Sequence, residues 1–164
     1  MATTAALECH VDDAGLGHIR FNRPEIHNAF DTALIESLSA AIDALGGDAA
    51  VRAVVIAAEG PSFCAGGDLA WMLRMARAPA AENVADALKL AGVLNALATL
   101  AKPTLALIQG PAYGGGVGIV AACDIAIAAR EARFALTEVR LGIIPAVISP
   151  YVVAAIGARA AARY

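Results

Sequence analysis

Two stretches of this chain repeat one plan, Gly60 in the first standing where Gly110 stands in the second. The apolar run Val51–Ala58 leads into Gly60-Pro61-Ser62-Phe63 and then the pair Gly66-Gly67. The apolar run Thr104–Ile108 leads into Gly110-Pro111-Ala112-Tyr113 and then Gly114-Gly115-Gly116. Each reads as a strand, a Gly-Pro turn, an aromatic residue, a glycine cluster and the start of a helix. A self-similar unit of this length means repeated strand-turn-helix modules that bury their apolar faces on one another. No linker, low-complexity segment or charge run separates the two copies, so one continuous architecture over residues 1–164 is expected.

The surrounding elements fit that plan. Leu7–Val11 and His18–Asn22 read as two strands joined through Asp12-Asp13-Ala14-Gly15, a hairpin signal. Asp31 is placed to cap a helix running to Leu45, with Leu34, Ile35, Leu38, Ile42 and Leu45 on one face and Gly46-Gly47 as its stop. The valine-rich run Val51–Ala58 has the pattern of a strand buried on both faces. A short helix is expected from Asp68 to about Met75, and a longer one from about Glu82 to Leu100, before Lys102-Pro103. Asp124–Ala128 reads as a strand and Arg133–Leu136 as a further short one. Ser149-Pro150 reads as the N-cap and first-turn proline of a last helix.

Composition narrows the function classes. Hydrophobic residues make up 59% of the 164 and charged residues 16%, which excludes intrinsic disorder and leaves apolar surface to be hidden. A membrane span is not the answer, because the most apolar stretch, Thr104–Ala129, is broken by Gln109, Pro111, the glycines and Asp124. The N-terminus shows no basic segment followed by an apolar core, so no secretory signal is expected and the location expected is cytoplasmic. A formal net charge of −3 speaks against nucleic acid as a partner. Cys9, Cys64 and Cys123 are odd in number and widely spaced, which fits neither a disulfide framework nor a metal site.

The chemistry sits in the glycine clusters. A glycine cluster that opens a helix presents unobstructed N–H groups, with the helix dipole adding partial positive charge there. One such loop serves equally for a tight turn and close packing. Two of like design can aim two N–H groups at one oxygen, the geometry of an oxyanion hole. Gly116-Val117-Gly118-Ile119-Val120-Ala121 also matches a dinucleotide fingerprint, but the preceding loop is too long and no acidic residue ends the next strand. A third element is Glu138, set among apolar residues within Phe134–Gly142. It reads either as a first-turn glutamate serving a helix N-terminus or Arg140, or as a general acid/base. No Ser elbow and no carboxylate/His cluster of metal spacing competes with it.

Taken together these residues are familiar. Ser62-Phe63-Cys64-Ala65-Gly66-Gly67-Asp68-Leu69, Gly110–Gly116, Ala122–Ala128 and Glu138–Pro145, with Phe21-Asn22-Arg23-Pro24 and Asn28-Ala29-Phe30, resemble the crotonase (enoyl-CoA hydratase/isomerase) superfamily over essentially the whole chain. The resemblance implies an α/β fold, the crotonase-type spiral of repeated ββα units. It implies an oxyanion hole made by the N–H groups of Gly67 and Gly115 around the thioester carbonyl of an acyl-CoA. It further implies Glu138 as the catalytic carboxylate. Glu25, Ile26, Ala65, Asp68 and Leu69 fall on nucleotide- and pantetheine-facing positions, with Trp71 and Tyr113 toward the acyl chain.

One departure matters. Hydratases of the best-known type carry a further glutamate where this chain has Gly118. The resemblance therefore implies a site with one carboxylate, most like hydratases of branched or carboxylated enoyl-CoAs of the methylglutaconyl-CoA type. A Δ3,Δ2-enoyl-CoA isomerase using Glu138 alone and a non-catalytic acyl-CoA binder are the alternatives. No cofactor or metal is implied beyond the acyl-CoA substrate. Homotrimers or dimers of trimers are implied as the assembly, through a C-terminal helical segment that this sequence lacks or only begins at about residue 150.

Overall fold

The computed structural model describes residues 5–163. Along them run seven strands, Leu7–Val11 (β1), Leu16–Phe21 (β2), Ala53–Ala58 (β3), Thr104–Ile108 (β4), Ala112–Tyr113 (β5), Ile125–Ala128 (β6) and Phe134–Ala135 (β7). Six helices accompany them: Thr32–Gly47 (α1), Leu69–Met75 (α2), Ala80–Ala98 (α3), Gly115–Ala122 (α4), Ser149–Ile156 (α5) and Ala158–Ala161 (α6).

The large sheet has the order β1-β2-β3-β4-β6, and β5 pairs with β7 in a second, small sheet. Only β1 and β2 run antiparallel; their turn is held by Asp12 Oδ1, which accepts from the Ala14 and Leu16 N–H groups. The remaining neighbours of the large sheet are parallel, with Leu16 opposite Ala53, Val54 opposite Thr104 and Leu105 opposite Ile125. Parallel neighbours need a crossover, and each crossover here passes through an extended piece and a helix. Phe30 bridges Gly67, Cys64 bridges Ala112, and Ala112 pairs with Phe134. Each turn of the chain thus gives one strand to the large sheet, one extended piece to the small layer, and a helix. That is a repeated ββα plan, and it is an α/β fold.

The core lies between the sheet and α1, which buries Leu34, Ile35, Leu38, Ala41, Ile42 and Leu45. Asp31 caps that helix by accepting from the Leu34 N–H at 2.8 Å, and Arg23 holds the same carboxylate at 2.8 Å. Phe21, Phe30 and Phe63 meet edge to face, with centroids 5.6 and 5.8 Å apart. Such aromatic pairs contribute about 1 kcal/mol each beyond simple burial. Helix α3 buries only Val93, Leu94 and Leu97, all in its second half. Its first half is free to lean over a cavity.

Three expectations shift. The run beginning at Val51 joins the sheet only from Ala53, because the Val51 N–H is taken by the Asp48 carbonyl of the preceding turn and the Arg52 N–H by the Gly15 carbonyl of the β1–β2 turn. Ser149 is the first residue of α5 rather than its cap; Ile148 occupies the cap position without a side-chain bond, and Ser149 Oγ donates to the Ala146 carbonyl. Asp124–Ala128, read as a strand, forms one over Ile125–Ala128, with all four of those residues exposed at the sheet edge. Among the described residues no helix is long and apolar enough to cross a membrane.

Candidate active site

The two glycine loops are fastened directly to each other. Phe63 and Cys64 donate to the Pro111 carbonyl at 2.9 and 3.2 Å, and the Tyr113 N–H donates to the Cys64 carbonyl at 2.8 Å. The contact is close enough to require glycine. A Cβ on Gly110 would lie 2.1 Å from the Pro61 carbonyl oxygen, and one on Gly116 2.7 Å from Cys64 Cβ. Gly66 and Gly114 both have positive φ, +91° and +49°, and a Cβ on Gly114 would sit 3.8 Å from Gly66 Cα.

Asn28 holds the first loop from behind. Fully buried with φ 55°, it donates through its side-chain amide to the Glu59 and Ser62 carbonyls and accepts from the Arg23 N–H. Sequence reasoning passed over its role; an asparagine in a short segment between strand and helix is a known candidate for the left-handed region. Ala65 donates its N–H to the His27 carbonyl at 2.9 Å.

This fastening leaves two donors over. Phe30 donates to the Gly66 carbonyl and accepts from the Asp68 N–H, which skips the Gly67 N–H. Gly115 is the first residue of α4, where an N–H has no partner within its own helix. Among the described residues neither N–H has an acceptor, and both glycines line a cavity of about 620 Å³. The Phe30 ring backs Gly115, since a Cβ there would lie 3.0 Å from it.

Glu138 opens a 3-10 turn, Glu138–Leu141, after β7, and lines the same cavity. Its Oε1 approaches to 3.2 Å from the place a Cβ would take on Gly114. Its Oε2 is buried and has no hydrogen-bond partner. A buried carboxylate oxygen without a partner is costly to folding, so such a group in a cavity points to a ligand or reaction that engages it. Among the described residues nothing, Arg140 included, bonds to that Oε2.

Most of the remaining wall is apolar: Leu69, Trp71, Met72 and Met75 from α2, Leu90 from α3, and Ile143, Ile144 and Ile148 from the segment before α5. Of the residues singled out in the sequence, Gly67, Gly115, Glu138, Leu69 and Trp71 line the cavity. Glu25, Ile26 and Ala65 lie outside it near the first loop, Glu25 and Ala65 exposed. Asp68 caps α2 by accepting from the Trp71 N–H at 2.8 Å, and Tyr113 sits in β5 behind the loops.

Gly118, which the resemblance sets among the substrate-binding positions, is a correction. It does not line the cavity: a Cβ there would lie 2.5 Å from Ile148 Cγ2 and 3.5 Å from Leu94 Cδ1, so its role is to let α5 close on α4. Asn83 and Asp86 of α3 also reach the cavity. Nothing in the sequence singled them out, because the chemistry of a helical residue shows only once its facing wall is known.

The cysteines flank the site without serving it. Burial pushes the Cys64 thiol up to about 12, against a smaller lowering by its bond to the Gly66 backbone. Burial likewise raises Cys123 to about 12. Both stay protonated and unreactive at neutral pH.

Comparison with known proteins supplies the context for this geometry. A family model described as Enoyl-CoA hydratase/isomerase matches residues 12–164. The human mitochondrial methylglutaconyl-CoA hydratase is 39% identical over 135 residues, which are 82% of this chain and 39% of that protein. A 4-chlorobenzoyl coenzyme A dehalogenase from Arthrobacter is 39% identical over 138 residues, 82% of this chain and 48% of its own length. The crystal structure of an enoyl-CoA hydratase from Shewanella pealeana superposes with a TM-score of 0.95 at 40% identity, covering 99% of this chain and 61% of that one. The chain therefore spans between two fifths and two thirds of the length of these relatives.

Proposed function

This chain belongs to the enoyl-CoA hydratase/isomerase family, a crotonase-fold protein, and from that premise we propose that it adds water across the 2,3-double bond of an enoyl-CoA thioester. The observation that carries the reading is the buried, unpartnered Glu138 Oε2 in one cavity with two N–H groups that have no acceptor.

In this reading the thioester carbonyl oxygen accepts from the Gly67 and Gly115 N–H groups. Glu138 takes a proton from a water whose oxygen bonds to the β-carbon. The π electrons move onto the carbonyl oxygen as an enolate, which the two N–H groups stabilise as its charge grows. The electron pair then returns, and Glu138 delivers its proton to the α-carbon. One carboxylate serves as base and then as acid, so atoms and charge balance without a second acidic residue. The apolar wall provides the acyl pocket, and the acyl groups in view are branched or carboxylated, as in relatives named methylglutaconyl-CoA hydratase.

A second reading has its own observation. With Ile148 packed against Gly118, the place of a second carboxylate is closed. A single Glu138 then suits Δ3,Δ2-enoyl-CoA isomerisation, which moves one proton between two carbons.

The experiment follows the thioester absorbance. Loss of the 2-enoyl-CoA band on adding protein supports hydration, and appearance of that band from a 3-enoyl-CoA supports isomerisation. Glu138→Gln should lower turnover by roughly a hundredfold or more while acyl-CoA binding persists. Binding of acyl-CoA with no turnover of either substrate would leave only a binder.

A further inference from the structure

We propose that Asp86 determines acyl specificity, making the cavity select uncharged acyl groups over those ending in a carboxylate. The proposal rests on the acyl-CoA reading above and narrows its substrate class. It separates two possibilities that the relatives' names leave together.

The observation begins with charge. Among the described residues the cavity wall carries two carboxylates, Asp86 and Glu138, and no Lys, Arg or His. Lys89, three residues beyond Asp86 on α3, lies outside the wall and pairs with Glu36, with Asp86 a weaker, longer-range partner. Asn83, one turn before Asp86, spends one of its two amide N–H donors on the Ala78 carbonyl at 3.2 Å, so the wall offers an acyl carboxylate at most a neutral donor there and no charge.

Asp86 is also held in place. Its Oδ1 accepts from Thr32 Oγ1 at 2.9 Å, and Thr32 Oγ1 in turn accepts from the Trp71 indole N–H at 3.1 Å. That relay ties α3 to the start of α1 and to α2 on the far side of the cavity wall. It consumes the Thr32 hydroxyl and the Trp71 indole N–H, two donors that a carboxylated acyl group could otherwise use. No described residue donates to Asp86 Oδ2.

An acyl chain ending in a methyl group meets Met72, Met75 and Leu90 and loses nothing polar. A chain ending in a carboxylate must shed its water and then faces fixed negative charge with no cation to pair it. Like-charge juxtaposition of that kind is a standard means of rejecting a wrong ligand.

The test compares two saturated, unreactive thioesters by calorimetry: 3-methylpentanoyl-CoA and 3-methylglutaryl-CoA, which differ by a methyl group in place of a carboxylate. The protein should bind the first about tenfold or more tighter than the second. Asp86→Asn, which keeps an acceptor for Thr32, should bring the ratio toward one, and Asp86→Ala should do the same. A misfolded variant lowers both affinities together and does not move the ratio. Equal binding of both thioesters by the unaltered protein overturns the proposal. So does a ratio that collapses in Glu138→Gln but not in Asp86→Asn. Binding of neither thioester sinks this proposal together with the acyl-CoA reading beneath it, which distinguishes the two failures.

Discussion

The two glycine loops share a plan and differ in what stands behind them. The second opens into α4, whose Gly116, Gly118, Ile119, Val120 and Ala122 are buried. The first opens into α2, which buries no residue and exposes Leu69 and Leu73. A Cβ on Gly115 would press the buried Phe30 ring, whereas one on Gly67 would meet the flexible Met72 side chain at its Sδ, 2.9 Å away, and the half-buried Trp71 ring at 3.1 Å. One N–H donor is thus set in the core and the other rides on a soft rim. The contrast teaches a division of labour. In the proposed reading the second loop fixes where the oxyanion would sit, and the first shapes the pocket around it.

The largest expected effect comes from loading the hard side. Gly118→Glu restores the acidic residue of the best-known hydratases, but its side chain has Ile148 in the way. Overpacking together with a buried carboxylate should cost roughly 3 kcal/mol or more in chemical denaturation, with no gain in turnover. On the soft side Gly67→Ala should cost no more than about 1 kcal/mol, because Met72 is flexible, yet lower turnover about tenfold to a hundredfold by shifting the donor. Equal losses of stability in the two variants would remove the contrast.

A second, intermediate effect uses pH. Cys64 belongs to the first loop and Cys123 ends α4, and burial raises both from 9.0 to about 12. Below 9.0 the folded and unfolded chains both hold these protons. Above it the unfolded chain loses them first, so stability should fall as pH climbs from 9.0 toward about 12. The thermal midpoint followed across that window checks the sign, and Cys64→Ala should flatten the slope. A midpoint that rises with pH there would contradict burial as the cause.

The smallest effect concerns the rim itself. Asp68→Ala removes the cap that accepts from the Trp71 N–H and should cost about 1 kcal/mol. Because α2 buries nothing, that loss should appear as faster amide exchange over Leu69–Met75 and a higher KM, not as a lower midpoint for the whole protein.

How much of this was legible in the sequence depends on the range of the forces involved. The repeat, the Asp31 cap and the buried core strands could be read, because caps, periodicity and loop glycines leave local marks; Gly67, Gly115 and Glu138 were singled out by the resemblance, and all three line one cavity. Gly118 could not be placed. A glycine that serves chemistry and one that admits a neighbour look alike until the neighbour is known, and Ile148 lies thirty residues away. Asp86 was hidden for a similar reason: on a helix with exposed charged neighbours it looks like solvated surface. Asn28 left a mark that went unused, a short polar residue between strand and helix in the left-handed region.

The sheet order has a consequence in time. Only β1 and β2 can zip locally through their turn; Leu16 must find Ala53, and Val54 must find Thr104, each across a whole helical crossover. Chains dominated by such distant pairings reach the native state slowly, since loop closure costs entropy before the contacts repay it. The cavity, assembled from α2, α3 and the segment before α5, closes only after those pairings are in place. A nascent chain therefore acquires its hairpin early, and the pair of unpartnered N–H groups at Gly67 and Gly115 is among the last features to exist.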